Sequence, residues 1–426
     1  MADFTAAVYQ NEFLPDGGTD VNAIVTVTCT NAGLAGQSGG GSAGEIVIVD
    51  TSGSMGRTRL EAAKSAASAA IQQIVDGTWF AVVAGTHVAY LAYPYVRTGA
   101  GMVQMNPTTR FEALQAIAQF RSDGGTAMGT WLTLAGRLFD SIPMLAQRHA
   151  ILLTDGENHN ETPDQLSAAI AAVTGKFQCD CRGVGVDWQV AEVRRISQAL
   201  LGTVDIIPSP EEMPQVFADL MRRSMSRGVA DAQLRVWTPQ GAQIMFVRQV
   251  SPTVEDLTTR RVEVNPLTGG YPTGSWSDES RDYHVAVRLA AKAIGQEQLA
   301  ARVQVALGGA VVAQGLVKAK WSDSDELTAR ISPEVAHYTG QTELAQAIQE
   351  GLAAKAAGDV ETATTKLGRA VALAAETGNE EATTRLRKVV DIDDEETGTV
   401  RLKRSVNKAD EMALDTASTK TTRVRG

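Results

Sequence analysis

The chain has 426 residues, with 39 Lys and Arg against 49 Asp and Glu and a net charge of −10. That length leaves room for about two to four domains, and the acidic balance disfavours nucleic acid as a general partner. No apolar run approaches the ~20 residues that span a bilayer. Met1–Phe4 shows neither a basic nor an apolar leader pattern, and Cys29, Cys179 and Cys181 lack disulfide-framework spacing, so a cytoplasmic protein in a reducing compartment is expected, with no membrane partner.

Residues 1–34 hold two strand-like runs, Phe4–Tyr9 and Asn22–Thr30. Two strands alone are marginal in water, so they need a sheet elsewhere. Residues 35–44, centred on the Gly- and Ser-rich stretch from Gly36 to Ser42, read as a flexible linker; the lysine and following helix of a phosphate-binding loop are missing. The apolar run Ile46–Val49 then reads as a strand buried on both faces, delivering Asp50 to its carboxyl edge. From 45 to 225 strands alternate with helical patterns: strand 45–50, helix near 58–75, strands near 79–92, helices 109–120 and 129–141, strand 148–154, helix 163–174, strand 177–186, helix 189–201, strand 203–207 and helix 210–225. Such alternation implies a doubly wound α/β sheet covered on both faces.

Three short motifs in this stretch carry chemistry. Asp50-Thr51-Ser52-Gly53-Ser54 follows the first strand, Ser122-Asp123-Gly124-Gly125-Thr126 precedes a helix, and Ala150–Thr154 ends in Asp155-Gly156. Ligands of open parallel sheets sit at the carboxyl ends of strands. Two carboxylates and three hydroxyls gathered there form an all-oxygen site suited to a hard divalent cation, Mg2+ above all, with Ca2+ or Mn2+ as alternatives. Short Ser, Asp and Gly strings also cap helices and make turns, but three of them in order, each at an element end, outweigh that reading. Cys179 and Cys181 fit a buried strand as small apolar filler, and His159 fits a solvated loop.

These motifs resemble the metal-ion-dependent adhesion site of the von Willebrand factor A domain, over about residues 43–225. The resemblance implies metal ligation by Asp50, Ser52 and Ser54 in the first loop, Thr126 in the second and Asp155 in the third. It also implies a function: a protein partner supplies an acidic side chain to the bound cation.

From 230 to 335, short alternating runs separated by Gly, Pro and Asp read as an antiparallel sandwich. Strands 1–34 find their home there, which makes the α/β domain an insertion in the sandwich. Residues 340–390 read as three helices (Ala347–Ala357, Val360–Glu376 and Glu380–Val390), a small bundle rather than a tetratricopeptide groove. Residues 391–426 are polar and weakly periodic, and a disordered tail is expected. Thr397 and Thr399 each precede an apolar residue by three positions, Val400 and Leu402. That spacing resembles phosphothreonine motifs read by forkhead-associated domains, which suggests phosphorylation by a serine/threonine kinase.

The leading expectation is a non-enzymatic, metal-dependent interaction protein, a scaffold or signalling component resembling actinobacterial ones. An adaptor of a partner ring ATPase, as in chelatase-like systems, and a metal-dependent hydrolase are the alternatives.

Overall fold

The computed structural model describes residues 2–35, 42–95 and 101–424. Most of the expected linker lies outside the described residues, while Ser42–Gly44 already belong to a strand. The chain divides into two compact units: Ala32–Ala230 with Gly274–Ser277, and Asp3–Asn31 with Asp231–Thr273 and Asp278–Gly426.

Three strands come first in the chain: β1 (Asp3–Gln10), β2 (Phe13–Leu14) and β3 (Asp20–Thr30). The α/β unit follows with β4 (Ser42–Asp50), α1 (Gly56–Gln73), β5 (Trp79–Gly85), β6 (Ala89–Tyr93) and β7 (Val103–Gln104). Next come α2 (Pro107–Ala118), α3 (Met128–Asp140), β8 (Leu145–Thr154) and α4 (Pro163–Val173). The unit closes with β9 (Gln178–Val184), α5 (Val190–Ala199), β10 (Val204–Ile207) and α6 (Met213–Met225).

Local chemistry sets several of these boundaries. Asn106 and Thr109 form a capping box around Pro107 at the start of α2, and Thr162 with Gln165 does the same around Pro163 for α4. The buried stripe Ala63, Ala66, Ala67 and Ala70 along α1 is made of small side chains. It packs with Ile71, Phe217 and Met221 against Val47, Val49, Phe80 and Val82 of the sheet. Truncating a buried phenylalanine such as Phe217 to Ala costs about 3–5 kcal/mol.

The sheet order is β10-β9-β8-β4-β5-β6, with β7 also on β5. The five strands from β10 to β5 pair in parallel, and β6 and β7 are antiparallel to β5. Chain order reverses between β4 and β8, so the carboxyl ends of these two neighbours flank the crevice where open α/β sheets bind ligands. Within the sheet a charged trio is fully buried. His149 Nδ1 lies 2.8 Å from Glu45 Oε2, and its Nε2 lies 3.0 Å from Asp180 Oδ2. The apolar periodicity that reveals these strands carries no sign of that trio.

In the second unit follow β11 (Gln233–Trp237), β12 (Gln243–Ser251), β13 (Glu255–Asp256), β14 (Val262–Asn265) and β15 (Thr268–Pro272). Then come β16 (Glu279–Arg288), β17 (Glu297–Leu307) and β18 (Ala310–Trp321). Two sheets form, β1-β3-β16-β12-β13 and β14-β15-β11-β17-β18-β2. The amino-terminal β3 is antiparallel to β16, Cys29 opposite Glu279 and Asp20 opposite Arg288. β15 escapes a reading by β-propensity because it is Thr-Gly-Gly-Tyr-Pro. Its glycines let the Arg261 and Gln233 side chains lie close over the strand, since a Cβ at Gly269 would stand 2.6 Å from Arg261 Nε and one at Gly270 2.4 Å from Gln233 Nε2.

Helices α7 (Asp325–Thr328), α8 (Pro333–Ala356), α9 (Val360–Glu376) and α10 (Glu380–Val389) come next. α8 starts earlier than its alanine-rich part suggests, because Ser332 caps Val335 and Pro333 occupies the first turn. The expectation of a disordered tail needs correction. β19 (Val390–Asp394) and β20 (Thr399–Leu402) form a hairpin, and α11 (Lys408–Ala417) follows. Val400 and Leu414 are buried among Leu367, Val371, Leu386 and Val389, and Thr421 Oγ1 donates to the Val250 carbonyl at 2.7 Å. Few apolar residues suffice here because α9 and α10 supply the rest of the core. Among the described residues, no helix is long and apolar enough to cross a membrane.

Candidate metal centre

The first loop leaves β4 at Asp50, whose side chain is fully buried. Asp50 Oδ1 accepts the Ser52 amide at 2.9 Å and Oδ2 the Thr154 hydroxyl at 2.7 Å. Burial pushes the Asp50 carboxyl up to about 6, against those hydrogen bonds and with help from the charge of Asp155. Ser52 and Ser54 hydroxyls stand 2.8 Å apart, and Ser54 Oγ donates to Asp155 Oδ1 at 2.7 Å. One chain of oxygens therefore runs from the first loop to the third.

The second loop is stitched onto its neighbours by backbone. The Gly53 amide donates to Gly124 O at 2.8 Å, the Asp123 amide to Thr51 O at 3.0 Å, and Ser122 Oγ to Ser52 O at 2.7 Å. Gly124 has φ +69, a conformation open to glycine. The third loop holds the second from the other side. Asn160 Oδ1 accepts the Thr126 amide, Asn158 Oδ1 that of Met128, and Glu161 Oε1 that of Gly129. These acceptors satisfy the open amino terminus of α3 and fix Thr126 in place. None of the three was singled out by the sequence motifs; their density directly after Asp155-Gly156 is the signal that points to them.

The five residues singled out by sequence therefore meet at one sheet edge. Gly156 tests the fit. A Cβ there would stand 2.9 Å from Ser54 Oγ and 3.5 Å from Thr126 Oγ1, so the absent side chain leaves a space between hydroxyls of two loops. Thr126 is itself buried, and its hydroxyl faces that space from the side opposite Ser54. An all-oxygen donor set of this composition fits a hard divalent cation. Among the described residues no cluster of three His, Cys, Asp or Glu side chains suits a metal; three of the five oxygen-bearing side chains gathered here are hydroxyls.

Two further residues complete the picture. Arg59 of α1 reaches Asp155 Oδ2 at 2.9 Å and Asp187 Oδ2 at 3.0 Å, a contact that motif reading missed. His159 is 74% exposed and leans on Glu157 at 3.2 Å, a loop residue outside the oxygen chain. Cys179 and Cys181 are buried in β9 with free thiols. A cleft of about 460 Å³ opens beside the first two loops, lined by Thr51, His87, Tyr90, Phe120 and Asp123 among others.

Comparison with known proteins agrees with this architecture. Residues 44–206 match the family model of the von Willebrand factor type A domain, and residues 372–418 that of the von Willebrand factor type A C-terminal domain. A von Willebrand factor type A structure from Catenulispora acidiphila is 47% identical, covers 99% of this chain and 97% of its own, and superposes with a TM-score of 0.93. The chain belongs to the von Willebrand factor type A family. The uncharacterized protein sll0103 of Synechocystis sp. is 29% identical over 220 residues, half of this chain and half of that protein, so the chain matches about half the length of this relative. The ArnB paralog VWA2 from Sulfolobus acidocaldarius, 15% identical over 98% of both chains with a TM-score of 0.60, shares the fold. The C-terminal match spans the hairpin and α11, the region expected to be disordered.

Proposed function

We propose that this chain is a non-enzymatic, metal-dependent protein-interaction protein, a cytoplasmic scaffold or signalling component whose centre takes Mg2+, with Ca2+ or Mn2+ able to substitute. Ser52, Ser54 and Thr126 would hold the ion through hydroxyls, with Asp50 and Asp155 close by, directly or through water. Once bound, the ion supplies a residual positive charge and an open position for an Asp or Glu of the partner. The observation that carries this reading is the continuous chain Ser52–Ser54–Asp155, set at the point where strand order reverses. In this reading the von Willebrand factor A domain is an insertion in a β-sandwich made from residues 1–34 and 230–335, and the pairing of β3 with β16 supports that.

The hydrolase alternative needs a poised base, and exposed His159 leaning on Glu157 is a poor one. An adaptor for a ring ATPase would use the same centre and differ only in what it binds. The tail reading, a phosphothreonine at Thr397 or Thr399 recognised by a forkhead-associated domain, keeps two exposed hydroxyls in the hairpin turn. It needs that hairpin to open, because Val400 is buried.

A pulldown from host extract, with Mg2+ and with chelator, using wild type and the Ser52→Ala, Ser54→Ala double variant, tests the central claim. Capture that needs both metal and hydroxyls supports it. Capture indifferent to both overturns it, and an ATPase among the captured proteins favours the adaptor.

A further inference from the structure

Arg59 stands in the first turn of α1, directly after the first loop. Its guanidinium bridges two carboxylates of unlike environment. Asp155 is fully buried, with its other oxygen already accepting from Ser54, whereas Asp187 is 56% exposed. The Arg59 side chain itself is 32% exposed and packs over Gly185, where a Cβ would stand 3.7 Å from its Cζ. A permanent cation thus shares the buried carboxylate that also serves the hydroxyl chain. Arginine stays protonated at any physiological pH.

We infer that Arg59 is a specificity-determining residue of this centre: it weakens the site for a divalent cation alone and strengthens it for the cation together with a carboxylate ligand. The inference rests on the metal reading proposed above and adds the charge logic of the ligand. Asp50 and Asp155 together carry two negative charges, enough to balance one divalent ion. Arg59 adds a positive charge beside them. Asp187 offsets that charge only in part, because water screens an exposed group far more than a buried one. The remaining carboxylates of the second and third loops are turned to protein donors, Asp123 to the Gly124 amide, Glu157 to Gln189, and Glu161 to Gly129 and Asn158, so an anion arriving from solvent meets both the ion and a partly exposed guanidinium whose planar donors match a carboxylate. Cation and carboxylate each raise the other's affinity, and by linkage the effect is reciprocal.

Titration calorimetry of Mg2+ into the full chain tests this, in chloride and in acetate at equal pH and ionic strength, with acetate standing for the partner's carboxylate. Wild type, Arg59→Gln and Arg59→Lys are compared, and thermal denaturation of each checks that it folds. In chloride the Gln variant should bind Mg2+ about tenfold tighter than wild type. Acetate should strengthen Mg2+ binding in wild type and in the Lys variant, and do so markedly less in the Gln variant. Equal or weaker Mg2+ binding by the Gln variant in chloride, or the same acetate effect in all three, overturns the role of Arg59 while leaving the metal centre standing. Absence of Mg2+ binding in wild type overturns the metal reading, and this inference with it.

Discussion

Thr154 Oγ1 donates to Asp50 Oδ2 at 2.7 Å across the β4–β8 pair, at the place where the sheet reverses its strand order. With the Ser52 amide on Oδ1, both oxygens of a buried carboxylate are satisfied without a lysine or arginine. A buried carboxylate held only by neutral donors keeps a raised proton affinity, and Asp50 does so.

Thr154→Val removes one of those donors and keeps the side-chain shape. An oxygen of Asp50 is then buried and unpaired, which costs about 1–3 kcal/mol. Urea denaturation without metal should show a loss of that size. Mg2+ titration should show weaker binding, since the carboxylate is no longer oriented. Unchanged stability in the valine variant would mean that water replaces the hydroxyl.

Gly156→Ala separates the centre from the fold. The added methyl enters the space between Ser54 and Thr126 but meets only side-chain atoms, Ser54 Oγ and Cβ and Thr126 Oγ1, so the expected stability change is small, within about 1 kcal/mol. Divalent-ion binding should fall at least several-fold by calorimetry. A variant that binds Mg2+ as wild type does places the ion away from Gly156.

The buried trio makes stability depend on pH. Glu45 and Asp180 flank His149, whose imidazole burial alone would depress, and they raise it to about 9. Ser224 also donates to Glu45, while Asp180, against a burial that would raise it, is held well below the usual carboxylate range by its hydrogen bond to His149 and by the charges of Arg227 and Arg182. A histidine raised from 6.5 to about 9 contributes stability that is complete below pH 6.5 and lost as pH rises through 9. At about 1.4 kcal/mol per unit this is roughly 3 kcal/mol. The lowered Asp180 works in the opposite sense: its contribution is present above the ordinary carboxylate pKa and fades in acid. Denaturation midpoints of the full chain should therefore decrease between pH 7 and 9.5, and His149→Gln should flatten that slope. A slope equal in both proteins would assign the alkaline loss to other groups.

The three loops that meet at the candidate centre were legible in the sequence because each is a short polar motif ending a buried strand or opening a helix, where the chain has few other choices. Thr154 lay in the same strand run and was passed over because an isolated threonine at a strand end is ordinary. Arg59 was invisible for a different reason: its partners are 96 and 128 positions away, and no local pattern encodes a guanidinium reaching two loops. The trio of Glu45, His149 and Asp180 was hidden in runs read as apolar strands. The tail was misread because disorder was judged from local composition, whereas Val400 and Leu414 find their apolar neighbours on α9 and α10.

The folded tail sharpens the phosphothreonine question. The exposed hydroxyls of Thr397, in the turn between β19 and β20, and Thr399, the first residue of β20, lie 2.8 Å apart, and Asp394 accepts the amides of Glu396 and Thr397. A phosphate there adds about −1.5 to −2 charges close to Asp393, Asp394 and Glu395, with Arg401 already paired to Asp393. Recognition by a forkhead-associated domain reads an extended segment with an accessible apolar residue three positions on. In the intact chain Val400 is spent on the core beside Leu367 and Val371. A synthetic 391–405 peptide phosphorylated at Thr397 should therefore bind such a domain well, and the intact phosphorylated chain at least tenfold more weakly, because binding must first pull the hairpin from α9. Leu414→Ala, which loosens the same core by about 2–5 kcal/mol, should narrow that gap. Equal affinity of peptide and intact chain would show that the hairpin opens freely, and no binding by the phosphorylated peptide would end the tail's candidacy as a docking motif.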